Sequence, residues 1–94
     1  MKDFEIGCVV VSAKGKDKGR LMLVVGKSGK YLLVCDGKKR KIASPKRKNP
    51  CHLSFLPSED VRLPVNAELT DGRLRRELDR IRRSVNTESD LSDE

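Results

Sequence analysis

The stretch Gly7-Cys8-Val9-Val10-Val11-Ser12-Ala13-Lys14-Gly15-Lys16-Asp17-Lys18-Gly19-Arg20-Leu21-Met22-Leu23-Val24-Val25-Gly26 decides the fold. Valine-rich runs stand at both ends, and β-branched side chains suit a pleated, packed surface. Between them, residues 13–19 are small residues and charges only, a span too long for a two-residue hairpin turn. The unit reads as a strand, a cationic loop and a strand.

Working downstream, residues 26–29 are turn formers and separate the second run from a third at residues 31–35, so a hairpin connects them. Asp36-Gly37 is the strongest short turn signal in the chain and directs a further strand around residues 40–43. His52-Leu53-Ser54-Phe55-Leu56 alternates well enough to complete the sheet. Upstream, Phe4 and Ile6 alternate with charges, as the lead-in to a first strand would. Five short strands joined by short turns predict a mainly β fold, a small SH3-like antiparallel β-barrel over residues 1–56. The three apolar runs are nearly continuous where one-sided strands would alternate, so the outer face needs a cover as well.

The remainder supplies one. Leu74, Leu78, Ile81 and Val85 fall at spacings of 4, 3 and 4, one face of a C-terminal amphipathic helix over residues 70–85. Thr70 or Asp71 can cap its start, and Arg73 with Glu77 and Arg75 with Asp79 are the expected i to i+4 pairs. A helix this short is marginal alone, so its apolar stripe is expected to dock on the barrel, with docking on a protein partner through Leu74, Leu78 and Ile81 as the alternative. Residues 57–69, with Pro57 and Pro64, read as a linker, and the acidic residues 86–94 as a disordered tail.

The totals set limits. A chain of 94 residues holds one small domain, with little room for a deep catalytic cleft, so no enzymatic activity is expected. Phe4, Tyr31 and Phe55 are its only aromatic residues, so the core is aliphatic and base stacking cannot be the main binding device. The formal net charge is +7, unevenly spread. Residues 1–50 carry 14 Lys/Arg against 4 Asp/Glu, or +10, and residues 51–94 carry 7 against 10, or −3. A basic half points to a polyanion, most commonly nucleic acid. Cys8, Cys35 and Cys51 share no metal-ligand spacing, and two lie inside apolar runs, so reduced thiols and no metal or cofactor are expected. With neither a long apolar segment nor a signal-peptide pattern, a cytoplasmic protein without a membrane partner is expected.

The cations form two clusters. Lys14, Lys16, Lys18 and Arg20 line the first loop, where Gly15 and Gly19 allow positive φ or close approach to a phosphate. From Lys38-Lys39-Arg40-Lys41 through Pro45-Lys46-Arg47-Lys48, seven of eleven residues are cationic, and the prolines make the later part a flexible basic arm. Such clusters follow phosphates and contribute affinity more than sequence reading. His52 either closes the barrel or touches RNA. The loop is not a Walker A, because it lacks the Gly-Lys-Ser/Thr ending and leads into a strand. Helix-turn-helix, zinc-finger and basic-zipper patterns are absent, which favours RNA over duplex DNA.

Residues 7–26, with the valine run, the Lys14 to Arg20 loop and the apolar strand after it, resemble the KOW motif of ribosomal proteins and transcription elongation factors. Tyr31-Leu32-Leu33-Val34-Cys35-Asp36-Gly37, the basic run that follows, Pro45 to Lys48 and His52-Leu53 are similar to the L-fourteen-e family of large-subunit ribosomal proteins, and more closely to its short stand-alone bacterial relatives. The resemblance covers residues 4–56. It implies an SH3-like barrel that binds RNA, ribosomal RNA foremost, through its first loop and basic face. Gly19 then takes the place of the motif's glycine near the loop's end, and Lys14, Lys16, Lys18 and Arg20 lie on the RNA side with Lys38 to Lys41. After residue 56 this chain departs from the ribosomal members with its Arg-rich helix and acidic tail. The reading is an RNA-binding protein of the translation machinery. Its alternatives are a protein-binding adaptor of the translation or transcription machinery and a DNA-binding or nucleoid protein.

Overall fold

The computed structural model describes residues 4–16, 18–56 and 61–93, the last ten as backbone only. Five strands form one antiparallel sheet: β1 (Val9–Ser12), β2 (Leu21–Ser28), β3 (Tyr31–Cys35), β4 (Lys46–Lys48) and β5 (Leu53–Phe55), in the order β4-β3-β2-β1-β5. One helix, α1 (Asp71–Asp93), follows. The sheet is not closed into the expected barrel. β4 and β5, three residues each, are its two edges, and no ladder joins them.

The valine and leucine runs bury side chains on both faces. Val10, Met22, Val24, Leu32, Val34 and Leu53 pack together on one face, with Phe4 and Phe55 stacked at its margin, ring centroids 4.4 Å apart. Val9, Leu21, Leu23, Cys35 and Leu56 lie on the other, and Leu74 and Leu78 of α1 close over them. Leu74 is fully buried, Leu78 nearly so, and Ile81 packs at the edge of the cluster. The stripe that could have served a partner is therefore taken up within the chain. This second layer explains why the apolar runs do not alternate.

Three expectations are corrected. Residues 40–43 do not form a strand: Asp36 folds them into a loop, and the fourth strand begins at Lys46. Pro45 stands just before it and Pro50 just after, so neither removes a ladder donor, and a short edge strand tolerates such neighbours. Lys46, Arg47 and Lys48 pair with Val34, Leu33 and Leu32, so the basic arm is part of the sheet. The β2–β3 turn is tighter than expected, because β2 runs to Ser28, which faces Tyr31 across Gly29 and Lys30. A register shift between Val24 and Gly26 absorbs the extra length.

Residues 61–63 also belong to the sheet edge. Val9 donates to the Val61 carbonyl at 3.1 Å, Leu63 donates to Gly7 at 2.9 Å, and Cys8 bridges Arg62. Val10 pairs with Phe55, and two positions back Cys8 bridges Arg62, seven positions beyond Phe55, so the pairing along this edge is discontinuous. Residues 57–60 lie outside the described residues. Thr70 caps α1, its Oγ1 accepting from the Arg73 amide at 3.1 Å. The helix continues past Val85, where its apolar spacing ends, to Asp93. The expected disordered tail at 86–94 falls on residues whose side chains lie outside the described ones.

Candidate nucleic-acid interface

The first basic loop leaves β1 and returns to β2 through two backbone bonds, Gly19 to the Ser12 carbonyl at 2.7 Å and Ser12 to the Arg20 carbonyl at 3.0 Å. Gly15 and Gly19 both take positive φ, at 86° and 89°. Lys14, Lys16, Lys18 and Gly19 are exposed. At the loop's start, Ala13 donates to the His52 carbonyl at 2.7 Å. His52 thus supports the first loop through its backbone, in a single 3-10 turn (Pro50–His52) that Asn49 caps.

The second loop is built around Asp36. Its side chain is almost wholly buried, and its Oδ1 accepts from the amides of Lys38 at 2.9 Å and Arg40 at 3.0 Å. Oδ2 lies 3.3 Å from the Arg20 guanidinium. Burial alone would raise the Asp36 carboxyl, but the Arg40 and Lys38 amides and then Arg20 outweigh it and hold it below its ordinary value of 3.8. The Asp71 carboxylate accepts from the Ile42 amide at 2.7 Å, which fixes the far side of the loop to α1. Lys38, Lys39, Arg40 and Lys41 project outward from this frame. Beneath it, burial, followed by the charges of Asp71 and Asp36, raises the Cys35 thiol to about 11, so this cysteine is a core residue without nucleophilic character.

The third set of cations divides. Side-by-side residues in a sheet share a face, so Lys46 and Lys48 lie on the face of Val34 and Leu32, and Arg47 on that of Leu33. Lys48 is buried, and its Nζ donates to Ser12 Oγ at 2.8 Å. The structure places this expected RNA contact as a tie between β4 and the base of the first loop, apart from the exposed cations. Arg47 lies over the Tyr31 ring at 5.3 Å and Lys30 at 5.5 Å, so two cations are within cation–π distance of that ring.

Arg20 and Lys38, from the two separate clusters, meet in a cleft of about 390 Å³ between the sheet and α1, where Arg75, Arg76 and Arg82 form the opposite wall. These helix arginines were not among the expected site residues. The sequence pattern assigns Arg75 to Asp79, but Asp79 pairs forward instead, with Arg82 at 3.2 Å and Arg83 at 2.8 Å, and Glu77 pairs forward with Arg80. An acid N-terminal to its cation is the order that the helix dipole favours. That preference was the one local signal that Arg75 would be left over.

Among the described residues no helix is long and apolar enough to cross a membrane, and no three His, Cys, Asp or Glu side chains gather as a metal site would require. No protein-family model matches this chain, and no curated protein does.

Proposed function

We propose that this chain is a non-catalytic, KOW-type RNA-binding protein with an SH3-like arrangement of strands, acting in the cytoplasm on ribosomal RNA. The observation that carries this reading is the exposure of Lys14, Lys16, Lys18, Lys38, Lys39, Arg40 and Lys41 on two loops whose roots are joined by the Arg20–Asp36 pair. The antiparallel β1–β2–β3 order supports the same reading, because it brings the β1–β2 loop and the loop after β3 to one end of the sheet. Cations of this kind, free of base-reading geometry, bind a phosphate backbone and release its counterions. The adaptor alternative is weakened because Leu74 and Leu78 are covered by the sheet.

With about six phosphates neutralised, the logarithm of the RNA association constant falls against log salt with a slope of about −5 on duplex and about −4 on single strands. Titration of a fluorescent structured RNA at several salt concentrations measures this. Reversal of Lys16, Lys18, Lys39 and Arg40 to Glu removes binding. A slope near zero, or unchanged affinity in the reversed variant, overturns the reading. Tighter binding to duplex DNA than to RNA at fixed salt replaces it with the nucleoid alternative.

A further inference from the structure

We infer that the cleft between α1 and the sheet is a phosphate-binding site, and that it receives phosphates of the RNA strand held by the two loops, an assignment that rests on the RNA-binding reading. Five cationic side chains line the cleft, Arg20, Lys38, Arg75, Arg76 and Arg82, against two acids, Asp36 and Asp79. Both acids are already engaged, Asp36 by Arg20 and two amides, Asp79 by Arg82 and Arg83. Arg75 and Arg76 make no ion pair among the described residues, and both are exposed to the cleft's solvent. Two adjacent guanidiniums without an acid, facing a third cation at Lys38, suit an anion with several acceptor oxygens, and guanidinium matches phosphate through paired N–H donors.

The walls are positioned by the fold. Gly37, at φ 78°, has no side chain to hold α1 away: a Cβ there would stand 2.4 Å from the Asp71 carbonyl oxygen. Gly72, in the first turn of α1, also lines the cleft. The first turn of α1 thus rests on the Asp36-Gly37 turn, and the next turn brings Arg75 and Arg76 beside Lys38. The volume exceeds what one phosphate needs and suits a nucleotide-sized unit. The cleft is continuous with the second loop through Lys38, whose neighbours Lys39 to Lys41 are exposed, so a strand following that loop is led into it.

The test compares two full-length variants of equal charge. R75Q/R76Q removes the two unpaired cations, and R73Q/R80Q removes two from elsewhere on the same helix. Glutamine keeps high helix propensity, and circular dichroism verifies both folds. Each is titrated with fluorescent RNA across a salt series and, separately, with inorganic tripolyphosphate by calorimetry. R75Q/R76Q is expected to lower RNA affinity about tenfold at low salt and to make the salt slope shallower by about 1.4 on single strands or about 1.8 on duplex, with tripolyphosphate binding lost; R73Q/R80Q should change affinity less than threefold. Equal weakening by the two variants overturns the site, since only overall charge would then matter. If wild type binds tripolyphosphate through Arg75 and Arg76 but binds no RNA, the RNA reading and the assignment to a strand fail while the phosphate site stands. If wild type binds RNA and R75Q/R76Q binds it equally well, the cleft inference fails and the RNA reading stands.

Discussion

The 13–19 loop and the 37–44 loop both present exposed lysines, but only the second has carboxylates bonded to the amides of its own backbone. The first is closed by backbone bonds at its root, and nothing lies within 4 Å of where a Cβ would stand at Gly15 or Gly19. The second is gripped by two carboxylates, Asp36 from the strand before it and Asp71 from the helix beyond. The first loop has open space at its two positive-φ glycines. The backbone of the second is held in place, so under the proposed RNA binding it would lose less conformational entropy than an unsupported loop.

Removing the carboxylate under the second loop breaks this contrast most severely. Asp36→Ala deletes two amide–carboxylate bonds and strands Arg20, and should cost about 3 kcal/mol in urea unfolding, whereas Lys16→Ala in the first loop should stay within about 0.5 kcal/mol. The pH dependence follows from the same group. Because the folded state depresses the Asp36 pKa, its contribution is complete above the unfolded value and fades as pH falls through the folded one. Wild type should therefore lose its stability advantage over Asp36→Asn below about pH 3.8. An advantage that persists unchanged to pH 2 would show that the carboxylate charge contributes nothing.

A subtler contrast comes from the glycines. Gly15 and Gly37 share positive φ, 86° and 78°, so alanine strains both backbones by about 1 kcal/mol. Only at Gly37 does the new methyl group also meet helix backbone, so Gly37→Ala should cost about 2 kcal/mol and lower the helical signal on heating before the sheet melts. Equal costs at the two positions would mean that α1 is not seated on the turn. The mildest probe leaves the protein unmutated. Brief alkylation of the native protein should label exposed Cys51, beside the turn that supports the first loop, and spare Cys8 and Cys35 in the core. Mass spectrometry should find one adduct before denaturation and three after; two or three adducts on the native protein would show that the floor of the second loop opens readily.

The difference between the loops was only partly legible in the chain. Three strands could be read because unbroken runs such as Val9-Val10-Val11 and Leu21-Met22-Leu23-Val24-Val25 leave the backbone few alternatives, and α1 because Leu74, Leu78 and Ile81 keep helical spacing. β4 was hidden by composition, since Pro45 and three cations resemble a solvated arm, and only the pairing with β3 reveals a strand. The closed barrel was an overreach of strand counting: closure depends on the lengths of β4 and β5, and turn signals do not report those. Asp36 was read as a turn former and proved to be the centre of the second loop. The cleft had almost no local signature, because Arg20 and Arg75 are 55 positions apart and meet only through tertiary packing.

The discontinuous edge beside β1 has a consequence in time. Phe55 pairs with Val10 from 45 positions downstream, and Arg62 bridges Cys8 from 54. A ribosome releasing this chain from its N-terminus exposes the β1–β2–β3 meander and both cationic loops well before the strand and helix that cover the apolar faces are made. For that interval the apolar faces of this segment lack the cover that residues 53–81 give them, and contacts this distant in sequence form more slowly than local ones. An anionic polymer at the exit site would meet the loops before the hydrophobic layer is sealed, so binding and the last stage of folding would compete on one clock.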